Sequence, residues 1–212
     1  MNRRRMMMKN SDIKTLLLMH GNLLTDQSGN GGAITAYGVS ATSSGGKFNI
    51  GRLTFNSGYI KLTSYELTIT KKWTVDFWVK ITGATTRIVL VTNYTSSKTG
   101  GNMLATTTSF PYGWLIGTPN VSDDAFLEYI VSDDWVHIAY TFDGTKYTLF
   151  YNGSKILEST VIDSRLNYLT IGASILNMTS GWYLKGYISE LRISDGVRWT
   201  TDFTPPTAPY TN

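Results

Sequence analysis

Few side chains in this sequence could make or break bonds, and their spacing narrows the chemistry further. Retaining glycoside hydrolysis needs two carboxyl groups about 5 Å apart, flanking the scissile bond. The glutamates are Glu66, Glu128, Glu158 and Glu190, and none has a carboxylate two residues away, where a strand would place it on the same face. No G-x-S-x-G turn supplies a nucleophilic serine. The Gly-containing string "SGGK" at 44–47 lacks the spacing of a phosphate-cradling loop. Two histidines, His20 and His137, and no cysteine exclude a histidine-rich metal site, a thiolate centre and disulfides. Calcium requires six to eight oxygens. Asp123-Asp124 and Asp133-Asp134 could contribute some, although paired aspartates ahead of a strand also serve as turns or caps. The sequence therefore calls for no catalytic residue and no cofactor, with calcium as the one candidate ion.

Binding leaves a different trace. Aromatic faces stack on the C–H surfaces of sugars while amides bond the hydroxyls. Tyr94, Tyr112, Trp114, Trp182 and Tyr183, with Asn177 close by in sequence, are the candidate glycan-binding residues. In a chain that is 13% aromatic, packing in the core or at its rim competes with that role at each position.

Charge points elsewhere. The net charge is +4, and residues 1–14 account for all of it, with Arg3, Arg4, Arg5, Lys9 and Lys14 set against Asp12. The body is neutral, which argues against a nucleic-acid-binding face on it. The start "MNRRRMMMKN" reads as a partner-binding arm. Arg3, Arg4 and Arg5 suit carboxylates on a neighbour, and Met6, Met7 and Met8 suit an irregular apolar groove. The run "IKTLLLM" is short, is broken by His20-Gly21-Asn22 and is followed by no small-residue cleavage site, so a signal peptide is not expected. No stretch approaches the ~20 apolar residues of a membrane span.

The elements that must position these groups are strands. "WTVDFWVKIT" alternates, with Trp73, Val75, Phe77 and Val79 opposite Thr74, Asp76, Trp78 and Lys80. "TLLLMHGNLL" reads as a first strand, "TDQSGNGGAIT" as a turn-rich loop, and "GGKFNIGRLTFNSGYIKLT" as two short strands. In "WVHIAYTFDGTKYTLFYNGSKI", Val136, Ile138, Tyr140 and Phe142 share a face, while Asp143-Gly144 and Asn152-Gly153 supply hairpin turns. Trp73, Phe77, Ile138, Phe142, Leu191 and Ile193 are the expected core. About a dozen short strands with frequent turn signals imply an all-β sandwich or jelly roll.

Three segments, "WTVDFWVKI", "DDWVHIAYTFDGTKYTLFYNGSKI" and "LTIGAS…GWYLKGYISELRISDGVRWTTDFTPPTAPYTN", stand in an order and spacing that resemble a concanavalin A-like lectin/glucanase domain of the laminin-G-like jelly-roll type. "LLLMHGNLLTDQSGN" and "GGKFNIGRLTFNSGYIKL" match the way such domains begin. The resemblance covers roughly residues 15–210 and implies a two-sheet antiparallel jelly-roll sandwich over 15–212 behind a basic arm, 1–14. Glucanases of this fold carry E-x-D-x-E or E-x-D-x-x-E, which this sequence lacks. Where relatives read G-x-I-D-E-V-R-I, it reads "GYISELRI", with Ser189 in place of the neighbouring acid. Glu190 is expected to be a structural carboxylate paired with an arginine.

The ending most resembles versions in bacteriophage structural proteins and bacterial surface proteins. The resemblance implies a non-enzymatic virion protein, a capsid decoration, head-fibre or tail component made in the bacterial cytoplasm. Its arm would hold other virion proteins, and the chain would form a homo-oligomer, a trimer as first choice, with a surface for host glycans. A carbohydrate-binding adhesin or receptor-binding module is the alternative, and a glycoside hydrolase is disfavoured by the missing carboxylates.

Overall fold

The computed structural model describes residues 13–63, 71–82, 87–94, 101–107, 114–115, 134–160, 169–173 and 183–212. Among them run twelve strands: β1 (Lys14–Met19), β2 (Ile34–Thr42), β3 (Arg52–Leu62), β4 (Trp73–Ile81), β5 (Arg87–Tyr94), β6 (Gly101–Thr107), β7 (Trp114–Leu115), β8 (Val136–Phe142), β9 (Tyr147–Tyr151), β10 (Ser154–Ser159), β11 (Leu169–Ile171) and β12 (Lys185–Asp195). All pairings are antiparallel.

The hydrogen-bonded path is continuous, β10-β9-β8-β4-β12-β3-β11-β5-β6-β7, with β1 on β12 and β2 on β3. It becomes a two-layer jelly-roll sandwich because β2 and β3 turn a corner together. The first half of β3 pairs β12 and its second half pairs β11. Between the halves Ser57 takes φ +61° and Gly38 of β2 φ +61°, and the β2–β3 register shifts there. A Cβ on Gly58 would stand 2.3 Å from the Gly38 carbonyl oxygen, so only glycine lets the two backbones cross. The bulge also resets which side chains point inward, Leu53 and Phe55 before it and Ile60 and Leu62 after it.

One apolar cluster fills the space between layers. It joins Trp73, Val75, Phe77 and Val79 of β4 to Ile138, Tyr140 and Phe142 of β8, Leu191 and Ile193 of β12, and Leu169 and Ile171 of β11. The expected core residues are thus all buried. Of the two hairpin turns, Asn152-Gly153 has both residues left-handed, at φ 46° and 84°. At the other only Gly144 is left-handed, and Asp143 Oδ1 instead accepts from the Thr145 and Lys146 N–H groups.

Two expectations for the early segments need correction. The stretch at 45–63 holds one long strand, β3, preceded by a three-residue 3-10 turn at Lys47–Asn49, rather than two short strands. The first strand ends at Met19, and β2 extends through residues that carry little apolar signal because its side chains are exposed or half-buried in alternation.

Candidate functional site

The outer face of the β8-β4-β12 layer is buried as well. Thr74, Asp76 and Trp78 of β4, His137 of β8 and Arg192 and Ser194 of β12 all point away from the core and are still covered. The cover is the C-terminal segment after β12. Its Phe203 N–H donates to the Gly153 carbonyl at 2.9 Å, and Asp202 Oδ1 accepts from the Lys155 N–H at 2.8 Å. Trp199 and Phe203 stack with centroids 4.0 Å apart, and both meet the His137 ring edge-on. Pro205, Pro206 and Pro209 cannot donate to a ladder, so this segment lies across the sheet rather than joining it.

Beneath the cover sits a cluster of charge. Arg192 donates from Nε and Nη2 to the two oxygens of Asp76 at 3.0 and 2.9 Å. Burial alone would raise the Asp76 pKa, but the Arg192 fork and His137, 3.6 Å away, outweigh it and hold the carboxyl below its ordinary range. Tyr210 is buried with its hydroxyl 2.9 Å from His137 Nε2 and its ring under the Arg192 guanidinium at 4.0 Å. Burial pushes its phenol well up, so it stays neutral. Arg198, half-buried near Arg192, is pushed down to about 10 by its partial burial and by that neighbouring charge, and still carries charge at neutral pH. His137 Nε2 is engaged by Tyr210, so the cluster clamps the end of the C-terminal segment onto the sheet.

Glu190 corrects an expectation. Its partner is His20, with Nδ1 at 2.6 Å from Oε1, while Oε2 accepts from the Tyr210 N–H at 2.5 Å. The arginine next to it in sequence pairs with Asp76 instead. The cause is a bulge. β12 exchanges its neighbour β3 for β1 between Ile188 and Leu191, its register against β4 shifts between Ser189 and Arg192, and Glu190 there takes φ +57°. That turns its carboxyl toward the junction where β1 ends and β3 begins, and Ser189 Oγ donates to the Gly51 carbonyl at 2.9 Å. Burial, only partly offset by the Tyr210 N–H and His20, raises the Glu190 pKa.

The same cover forms one wall of an open groove of about 790 Å³. Trp78 and Trp135 line it from the sheet, Gly45 to Asn49 from the β2–β3 loop, and Thr204 to Thr207 from the C-terminal segment. The loop is tightly made. Gly46 N–H donates to the Ile50 carbonyl at 2.8 Å, and a Cβ on Gly46 would meet the Gly51 oxygen at 2.0 Å. Phe48 and Asn49 are held at φ 59° and 58°, a left-handed pair without glycine. Bulky residues avoid this region, and such outliers concentrate at functional sites. The strain presents the Phe48 ring edge-on to Trp78 at 5.8 Å. Lys47 Nζ stands 4.0 Å over the Trp78 ring. Among the described lining residues there is no carboxylate. An aromatic floor, two prolines and the polar groups of Asn49, Thr204 and Thr207 suit a ligand with both apolar and hydroxyl faces.

Of the residues singled out from sequence, Tyr183 is half-buried, bridges Ala173 and lies near Tyr59, apart from the groove lining. Tyr94 ends β5 and Trp114 begins β7; their side chains fall outside the described residues, as do Tyr112, Asn177 and Trp182. The arm residues Arg3, Arg4, Arg5, Met6, Met7 and Met8, the pair Asp123-Asp124, and Asp133 also lie outside them. Among the described residues no cluster of three His, Asp or Glu side chains could hold a metal. The groove residues Phe48, Trp78 and Trp135 went unnoticed as a site because four segments far apart in sequence meet there.

Residues 54–202 match the family model of the concanavalin A-like lectin/glucanases superfamily, and the chain belongs to that superfamily. Among curated protein sequences nothing matches it. Among solved structures it is similar to domain 4 of AbnA, a GH43 extracellular arabinanase from Geobacillus stearothermophilus, in complex with arabinotriose. The TM-score is 0.67 at 21% identity, covering 87% of this chain and 93% of that one. It is also similar to the binding domain of Paraclostridial Mosquitocidal Protein 1, with a TM-score of 0.59, 18% identity and 89% and 50% coverage. A third is the binding domain of botulinum neurotoxin serotype D/C, with a TM-score of 0.60, 14% identity and 88% and 49% coverage. The chain spans about half of each toxin binding domain. At these identities the likeness establishes the fold.

Proposed function

We propose that this member of the concanavalin A-like superfamily is a non-catalytic carbohydrate-binding module, and that the groove between the 45–49 loop and the C-terminal cover is its sugar site. The observation that carries the reading is the strained Phe48–Asn49 pair set against Trp78 and Trp135. A loop that needs only to connect β2 to β3 has no reason to hold a phenylalanine left-handed beside an exposed groove. Rings placed this way stack on pyranose or furanose faces, and the neighbouring amide and hydroxyls bond the sugar oxygens. Titration of the full chain with a panel of neutral oligosaccharides, arabinotriose first because the structure of a similar domain is in complex with it, tests the reading. Binding that falls at least tenfold in Trp135→Ala supports it; no binder among these and acidic oligosaccharides, or binding indifferent to Trp135→Ala, overturns it.

The absence of catalysis is part of the proposal. No carboxylate lines the groove among the described residues, and Asp76 and Glu190 are sealed beneath the cover. Cleavage of any bound glycan, lost on replacing one glutamate, would refute it.

The finer part of the proposal is location. The confinement of net charge to residues 1–14 and the resemblance of the ending to phage structural proteins support a virion decoration, head-fibre or tail protein, anchored by its arm and assembled as a homo-oligomer. Deleting residues 2–9 then leaves a folded domain that no longer enters particles. Equal incorporation of the truncated chain would place the anchor on the jelly roll instead.

A further inference from the structure

Resting on the reading of the groove as a sugar site, we infer that its ligand is an acidic glycan, one whose sugar ring carries a carboxylate. Lys47 is the one charged side chain among the described lining residues. Its ammonium sits 4.0 Å over the ring of Trp78 and 5.7 Å from that of Phe48. No carboxylate stands within ion-pairing distance of it among the described residues, whereas Lys146 and Lys155 share Glu158 at 2.8 and 3.1 Å. Asp134, next to Trp135, is not a lining residue.

A second cation stands behind the same wall. The Arg52 guanidinium lies 4.0 Å over Tyr187, and its Nη1 is 3.2 Å from where a Cβ on Gly45 would be. It too has no carboxylate partner among the described residues, and its Nε is buried without an acceptor. Trp78, only 6% exposed, likewise buries its Nε1–H without an acceptor. A buried donor left unpaired is costly, so this end of the groove is short of acceptors and of negative charge.

The position of Lys47 decides between neutral and acidic ligands. A neutral sugar stacking on Trp78 displaces the ammonium from the ring and gives it nothing in return beyond water. A carboxylated sugar takes the ring face while its carboxylate receives the displaced ammonium, so a cation–π contact is exchanged for an ion pair rather than lost. Arg52 adds positive potential from behind Gly45.

Calorimetric titration of the full chain with two matched pairs tests this: trigalacturonate against its methyl ester, and 3′-sialyllactose against lactose. The first pair reports a uronic acid and the second a sialic acid; a preference in either supports the inference and says which source the site takes. The expected result is an acid bound at least tenfold tighter than its neutral partner at low salt, a gap that narrows as salt is raised. Lys47→Gln abolishes the gap and Lys47→Arg retains it. Equal affinity for acid and neutral partner, with both lost in Trp135→Ala, overturns the inference and leaves the sugar site standing. Failure of both acids to bind overturns it as well, and the neutral panel then judges the sugar site separately. A gap that survives Lys47→Gln shows that the anion is recognised elsewhere.

Discussion

Asp76 and Arg192 are direct register partners on β4 and β12, and their side chains meet in a two-bond fork on the face of the sheet turned away from the core. The pair is sealed by the C-terminal segment, so its charges balance each other in place of water. Asp76→Ala is expected to lower stability by about 3–5 kcal/mol, because it strands a buried guanidinium. The double change Asp76→Leu with Arg192→Met is expected to recover most of that loss. Urea unfolding of both variants checks this; a double variant as unstable as the single one would show that packing, not charge, sets the cost.

The same face gives stability two opposing pH limbs. Asp76 is held below its ordinary value of 3.8, so its contribution is present above 3.8 and is lost as pH falls through its folded value. Glu190 is raised above its ordinary 4.5. The folded chain there keeps a proton that the unfolded chain has released, so stability declines as pH rises from 4.5 toward the raised value and is level beyond it. Asp143 and Glu158 are also depressed, but both stand near solvent and weigh less. Melting temperatures between pH 3 and 8 are expected to peak in the mildly acidic range. Asp76→Asn flattens the acid limb and Glu190→Gln the other; a Glu190→Gln profile parallel to the parent's would refute the assignment.

The inward half of this fold was legible and the outward half was not. Alternation in "WTVDFWVKI" placed Trp73, Val75, Phe77 and Val79 in the core, since a period of two has only two solutions and one is apolar. The opposite set, Thr74, Asp76 and Trp78, together with His137, reads as an ordinary outer face. Its burial depends on "TTDFTPPTAPYTN", a segment with three prolines and no period, whose course across the sheet is set by tertiary contacts alone. Glu190 was misassigned for a related reason: alternation cannot register a bulge, and the bulge is what turns its carboxyl to His20. Phe48 gave no signal because a left-handed phenylalanine has no sequence signature.

Gly153 joins the β9–β10 turn to the cover. It sits at φ +84°, and a Cβ added to it would lie 1.9 Å from the Phe203 carbonyl oxygen. Gly153→Ala must therefore both strain the turn and push Phe203 away, breaking the bond from its N–H to the Gly153 carbonyl. The turn strain alone is about 1–2 kcal/mol, and a total loss of more than ~2 kcal/mol is expected by chemical denaturation. Gly144→Ala, at φ +96° but with open space around it apart from the far end of Lys72, should lose only the strain. Equal losses for the two would mean that Phe203 is not held at this turn.

Tyr210 locks the end of the cover by three different contacts. Its N–H donates to Glu190, its hydroxyl meets His137, and its ring lies under Arg192. Between this lock and the Phe203 attachment run Thr204 to Thr207, the residues that wall the groove. With no ladder bonds available to its prolines, the wall keeps its position through its two ends. Tyr210→Phe removes one hydrogen bond and leaves the buried His137 Nε2 with only Asp76, 3.6 Å away, a loss of about 1–3 kcal/mol. Tyr210→Ala also removes a buried ring and is expected to cost about 3–5 kcal/mol. Ile138→Ala provides the comparison, a core truncation of about 2–5 kcal/mol on the inner face of β8, on the side of the sheet opposite the cover. At a temperature where both alanine variants remain folded, Tyr210→Ala should lower the groove's affinity for its sugar severalfold while Ile138→Ala leaves it near the parent's. Equal affinities in the two would show that the C-terminal segment shelters the charged cluster without shaping the groove, and the sugar site would then have to be built from the 45–49 loop, Trp78 and Trp135 alone.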